Sequence, residues 1–120
     1  MSSNDDTPIL AISRLQEIFE DDTAGIADLL DMAMRTGTNW EAALGNALAH
    51  RALDDVLRGA HAIMGSAANI GGNEVAAIAG RIESAAQAKN WAGVELAIND
   101  LGHAFERLRA SVRAYRAGLA

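Results

Sequence analysis

Histidine is the side chain whose ordinary pKa lies nearest neutral pH, which suits it to proton transfer and metal binding, and this sequence has three: His50, His61 and His103. Only His61 has surroundings that ask for an explanation. It lies in Arg58-Gly59-Ala60-His61-Ala62-Ile63-Met64-Gly65-Ser66-Ala67-Ala68-Asn69-Ile70-Gly71-Gly72, where apolar residues recur at the spacing of a buried helix face. At about 100° per residue, with Ala60 at the centre of that face, Leu53, Val56, Leu57, Ile63, Met64 and Ala67 fall close to it. His61 sits about 100° round, on the flank where core gives way to water. Its helical neighbours there are Asp54, Arg58, Ala62, Gly65 and Ala68. Three of those five are Gly or Ala, so the ring stands almost uncovered. A mid-helix glycine costs about 1 kcal/mol relative to alanine, and close approach of another surface to the imidazole would account for Gly65.

Other uses of a histidine fit less well. Nucleophilic hydrolysis needs a Ser or Cys beside a base. Ser66 is five residues from His61 and points elsewhere on the helix, and no Gly-x-Ser-x-Gly elbow or phosphate-cradling glycine loop occurs. The histidines are far apart, with no His-x-x-x-His pair and no Glu three residues before any of them, so no metal site is expected. His50 at a corner and His103 on the outer side of the last helix read as ordinary exposed histidines.

The 120 residues correspond to one domain. Half of them are hydrophobic, aromatics are few and the single proline is Pro8, a composition that favours packed helices. The formal charge of −6 argues against non-specific nucleic-acid binding, which needs a basic face. The four arginines between Arg107 and Arg116 read as a solvated face near a helix C-terminus. No cysteine is present, no apolar run reaches membrane-spanning length, and the first residues lack a secretory pattern. A cytoplasmic domain without cofactor, metal or membrane insertion is expected.

The elements that must hold His61 follow in order. Residues 1–7 are expected to be disordered, and a domain is expected over 8–117. Thr7 and Pro8 can start a short helix marked by Ile9, Ile12, Leu15 and Phe19. A long helix over about 23–48 holds its apolar phase from Ile26 to Leu48 through the poor formers Thr36-Gly37-Thr38-Asn39. The His61 helix spans about 52–70. Gly71 and Gly72 are expected to end it, with a left-handed glycine cap and Asn73 capping the next helix. That helix, about 74–88, buries Val75, Ile78, Ala79, Ile82 and Ala85 or Ala86. Lys89-Asn90 turns into a last helix with apolar steps of three and four from Trp91 to Tyr115. Short corners force antiparallel neighbours. The expected fold is all-α: an antiparallel up-and-down four-helix bundle with a short extra N-terminal helix across one end.

The two helices flanking Gly71-Gly72 form a hairpin. If Ile70 lies level with Glu74, His61 lies level with about Glu83. Glu83, Gln87 and Arg58 are therefore the polar groups expected near the imidazole.

The stretch Ala60-His61-Ala62-Ile63-Met64-Gly65-Ser66-Ala67-Ala68-Asn69-Ile70-Gly71 resembles the signature of the histidine-containing phosphotransfer (HPt) family, Ala-His-x-Leu-Lys-Gly-Ser-x-x-x-x-Gly on the second helix of a four-helix bundle. Ile82-Glu83 stands where that family commonly has Leu-Glu, and Asn90-Trp91 is similar to the opening of its last helix. The resemblance covers roughly residues 9–115. It departs at Met64, where the family usually has Lys, and Arg58 is the candidate for replacement charge.

The resemblance implies a bacterial two-component phosphorelay. His61 would accept a phosphoryl group from a receiver-domain aspartate and pass it to another receiver, the receiver supplying divalent metal and most of the catalysis. The chain would then be a phosphoryl carrier rather than an enzyme. Its partners would be response-regulator receivers, with a hybrid histidine kinase as a further candidate. Asp54, Arg58, Ala62, Met64, Gly65, Ala68, Asn69, Glu83 and Gln87 would line the docking and phosphoryl-binding surface, together with part of the N-terminal helix. The alternative expectation is a binding or regulatory module that relays no phosphate, with Ile63 and Met64 as an apolar rim for a signalling partner. A monomer is expected, because the bundle itself should bury the stripe of the last helix.

Overall fold

The computed structural model describes residues 23–70 and 72–119, and every described element is helical. The helices are α1 (Thr23–Ala49), α2 (Leu53–Asn69), α3 (Asn73–Gln87) and α4 (Trp91–Leu119). Each packs on its neighbour in sequence, and α1 closes the ring against α4. The short N-terminal helix and the disordered 1–7 of the sequence reading lie outside the described residues, as does Gly71.

The core is apolar throughout. Ile26, Leu30 and Leu44 of α1 meet Val56, Ala60, Ile63 and Ala67 of α2, Val75, Ala79 and Ile82 of α3, and Val94, Leu101, Phe105 and Leu108 of α4. Each buried aliphatic or Phe side chain contributes about 1.5–3 kcal/mol relative to exposure. Ala86, rather than Ala85, is the buried alanine at the end of α3. No charged side chain is buried among the described residues. The Tyr115 hydroxyl is enclosed without a hydrogen-bond partner among the described residues.

α1 runs unbroken through its weak middle because of packing. The Phe105 ring lies where a side chain at position 37 would stand: a Cβ on Gly37 would meet Phe105 Cε1 at 2.7 Å. The Thr38 hydroxyl donates to the Met34 carbonyl at 2.9 Å. Tertiary contact thus overrides low local propensity.

The corners differ in detail from expectation. Arg51 takes φ 52° between α1 and α2, and its guanidinium lies 5.3 Å from the Trp91 ring centroid. Asp54 and Asp55 occupy the first turn of α2, where the helix dipole favours negative charge. Between α2 and α3 the N-cap is Gly72, and Asn73 is already helical, so Asn73 caps nothing. Gly72 has φ −80°, so its need is space and not a left-handed backbone. A Cβ there would lie 3.3 Å from Leu108 Cδ2 and 3.4 Å from the Ala67 carbonyl oxygen. At the last corner Lys89 takes φ 57°, and Asn90 Oδ1 accepts from the Gly93 backbone N–H at 3.0 Å, capping α4.

Of the four arginines at the basic end of α4, Arg107, Arg113 and Arg116 are exposed and Arg109 is half-buried, and three of the four are also ion-paired. Arg107 donates two hydrogen bonds of 2.9 Å to the Glu74 carboxylate, which raises its guanidinium pKa above the ordinary value. Arg109 binds Glu41 at 3.0 Å and Glu106 at 2.7 Å, and Arg116 pairs with Asp31. These arginines tie α4 to α3 and α1.

Candidate functional site

α2 carries its apolar face inward through Val56, Ala60, Ile63 and Ala67, which turns His61 outward on one edge. The His61 side chain is 75% exposed. Across the α2–α3 groove, Glu83 projects from the turn after Ile82, whose full burial fixes that face of α3. Glu83 Oε2 lies 3.5 Å from His61 Nδ1, and the Glu83 side chain is 27% exposed. This contact is slightly longer than a standard N–H···O hydrogen bond. A proton on Nδ1 is favoured by the facing carboxylate, and Nε2 is then the nitrogen that carries a free lone pair.

The two flanks of His61 differ. On the α1 side, Arg58 lies with Asp55, Asn46 and His50 along the groove between α1 and α2. Its guanidinium donates to Asp55 Oδ1 at 3.3 Å, an exposed pair spaced i,i+3. On the α3 side, Met64 is half-buried, with its sulfur 3.7 Å from where a Cβ on Gly80 would stand. The thioether therefore fills the gap left by Gly80. Ile63, placed on an apolar rim by the second sequence reading, is only 1% exposed. It lies about 200° from His61 round the helix, so the rim reduces to Met64.

The remaining predicted residues form an open strip. Asp54, Gly65, Ala68 and Asn69 are exposed and Ala62 is half-buried. A Cβ on Gly65 would meet nothing within 4 Å. Gln87 is exposed one turn beyond Glu83, and its side chain has no hydrogen-bond partner among the described residues. Ser66 faces the interior between α1 and α2 with Met34, Trp40 and Phe105, away from His61. Two residues escaped the sequence reading. Asp55 engages Arg58, and its i,i+3 spacing was a visible signal. Gly80 receives Met64, and an isolated glycine in mid-helix was the sign of a close neighbour.

Among the described residues, no three His, Cys, Asp or Glu side chains gather to hold a metal ion. Among the same residues no helix is long and apolar enough to cross a membrane.

The described residues thus give an all-helical frame with an exposed histidine, a carboxylate facing one ring nitrogen and small residues around it. The chain belongs to the Hpt domain family, whose model matches residues 14–111, and its role is histidine phosphotransfer in a two-component phosphorelay. Among solved structures it is similar in fold to histidine-containing phosphotransfer protein B from Pseudomonas aeruginosa. That match has a TM-score of 0.83 and 22% identity, and covers 92% of this chain and 96% of the other. No curated protein matches the chain.

Proposed function

We propose that His61 is the phosphoacceptor. The observation that carries this reading is the 75% exposure of His61 together with the Glu83 carboxylate 3.5 Å from Nδ1. With the proton on Nδ1, the Nε2 lone pair attacks the phosphorus of a receiver's aspartyl phosphate. The P–N bond forms as the P–O bond to aspartate breaks, and the aspartate leaves as a carboxylate. The ring is then positively charged, and Glu83 balances that charge. In the reverse direction a receiver carboxylate attacks phosphorus, the P–N bond breaks, and its electron pair returns to Nε2. The Nδ1 proton stays in place throughout. His61 supplies the nucleophile and α2 supplies its orientation.

On this reading the chain is a carrier and not an enzyme in its own right. Its partners are receiver domains and a kinase that charges them, docking over Asp54, Arg58, Ala62, Met64, Gly65, Ala68 and Asn69, with Glu83 and Gln87 at the edge. An antiparallel up-and-down order of the helices belongs to the same reading. It is supported by pairs that run in opposite directions along the chain: Glu74 with Arg107 and Arg81 with Asp100, Asp31 with Arg116 and Glu41 with Arg109. A domain over residues 8–117 is supported by the family match falling inside it. A monomer in the cytoplasm completes the reading, and the absence of cysteine agrees with a reducing compartment.

The test replaces His61. A receiver charged with acetyl phosphate should label the chain, and His61→Gln should abolish the label with helicity unchanged by circular dichroism. Undiminished labelling of that variant would remove the proposal.

A further inference from the structure

The charges around His61 are distributed unevenly, and the imbalance describes a partner. α3 carries Glu74, Arg81 and Glu83. Glu74 is held by Arg107 and Arg81 binds Asp100 at 3.0 Å, both on α4. Glu83 is the one charge of α3 turned toward α2. Beside it stands Met64, whose thioether is laid on Gly80. Arg58 lies on the other flank, facing the α1 groove with Asp55. Asp54, two turns before His61 on the same strip, is exposed and has no partner among the described residues. Among the described residues the α3 side of the histidine is thus negative and carries no cation of its own. A phosphoryl group on Nε2 adds further negative charge.

Resting on His61 as the acceptor, we propose that this face is built for a receiver domain with a basic rim, oriented so that its Lys or Arg side chains lie over Glu83 and Met64. Those partner cations supply the charge that the described residues of α3 do not place beside the phosphoryl group. Like charge at that edge repels the wrong receiver.

The test uses two receiver domains charged with acetyl phosphate, one with a basic and one with an acidic docking rim, and follows phosphohistidine on the full chain. The wild type should take phosphate about tenfold or more faster from the basic-rimmed receiver. That advantage should shrink as salt rises from about 50 to about 500 mM, since screening shortens the range of exposed charges. Met64→Lys, whose stem can still lie along Gly80, should compress the preference severalfold. Met64→Leu should leave it unchanged, which separates charge from packing. A faster acidic-rimmed receiver, or an equal preference in Met64→Lys and wild type, overturns the inference. Direct labelling with phosphoramidate needs no docking. If that label and the receivers' label both persist in His61→Gln, the acceptor assignment fails and the inference falls with it.

Discussion

Glu83 reaches across the α2–α3 groove to place a carboxylate oxygen 3.5 Å from Nδ1 of His61. The two residues come from different helices, so their meeting depends on hairpin register as well as on each residue's own face. On the proposal that His61 is the acceptor, the facing carboxylate favours the tautomer with the proton on Nδ1, with Nε2 as the nucleophile. Glu83→Gln keeps the shape, but its amide can donate as well as accept, so the selection is lost. The expected result is a mixture of His61 tautomers in nitrogen NMR spectra and phosphate uptake slowed by about tenfold, less than the loss of a true catalytic base. An unmoved tautomer with an unchanged rate would show that Glu83 is a bystander.

Gly65 has no internal reason to be glycine. It is helical and exposed, and an added Cβ would meet nothing within 4 Å. Gly65→Ala should therefore stabilise the protein by about 0.4–1 kcal/mol, through a stiffer unfolded chain and better helix propensity. The urea midpoint should rise with its slope unchanged. The methyl group lies about 40° round the helix from His61, so transfer from a receiver should slow while direct labelling by phosphoramidate holds. A variant that is both more stable and equally fast with receivers would mean that nothing packs closely there.

Much of this molecule is legible in its periodicity, because core positions recur every three or four residues and place helices within a residue or two. His61 at the edge of α2 follows from the same counting. Other features depend on distances between helices, which periodicity does not carry. Asn73 looks like a cap by type, yet Gly72 takes that place, where a Cβ would lie tight against Leu108 and the Ala67 carbonyl. The arginines of α4 are largely solvated as their sequence suggests, and Arg107, Arg109 and Arg116 in addition find acids on α3 and α1. Such partners depend on register between helices far apart in sequence. Ile63 belongs to the core because its angle from His61 turns it inward, which helical geometry already contained.

Gly37 is the reverse of Gly65. It is buried, and a Cβ there would lie 2.7 Å from Phe105 Cε1 and 2.8 Å from Cζ. Phe105 is only 3% exposed, so its ring has little freedom to withdraw. Gly37→Ala should gain helix propensity and still destabilise by about 1–3 kcal/mol through overpacking. Chemical denaturation measures this directly, and a stabilised variant would mean that α1 and α4 can separate at their midpoint without penalty.

Arg109 is the ion pair most worth testing, because its side chain is 21% and that of Glu41 26% exposed, less than in the other inter-helix pairs. The same guanidinium also binds Thr38 Oγ1 at 3.1 Å and lies 5.2 Å from the Phe105 ring centroid. Partial burial reduces screening, and the ring adds a cation–π contribution. Arg109→Met keeps the stem over Phe105 and removes the charge, so it should cost about 1–2 kcal/mol, chiefly by stranding Glu41. A double-mutant cycle with Glu41→Gln should return a coupling of about 1 kcal/mol. The same cycle on Arg81 and Asp100, whose side chains are 56% and 49% exposed, should give a smaller value. Equal couplings in the two cycles would mean that burial does not set the strength of the α1–α4 latch.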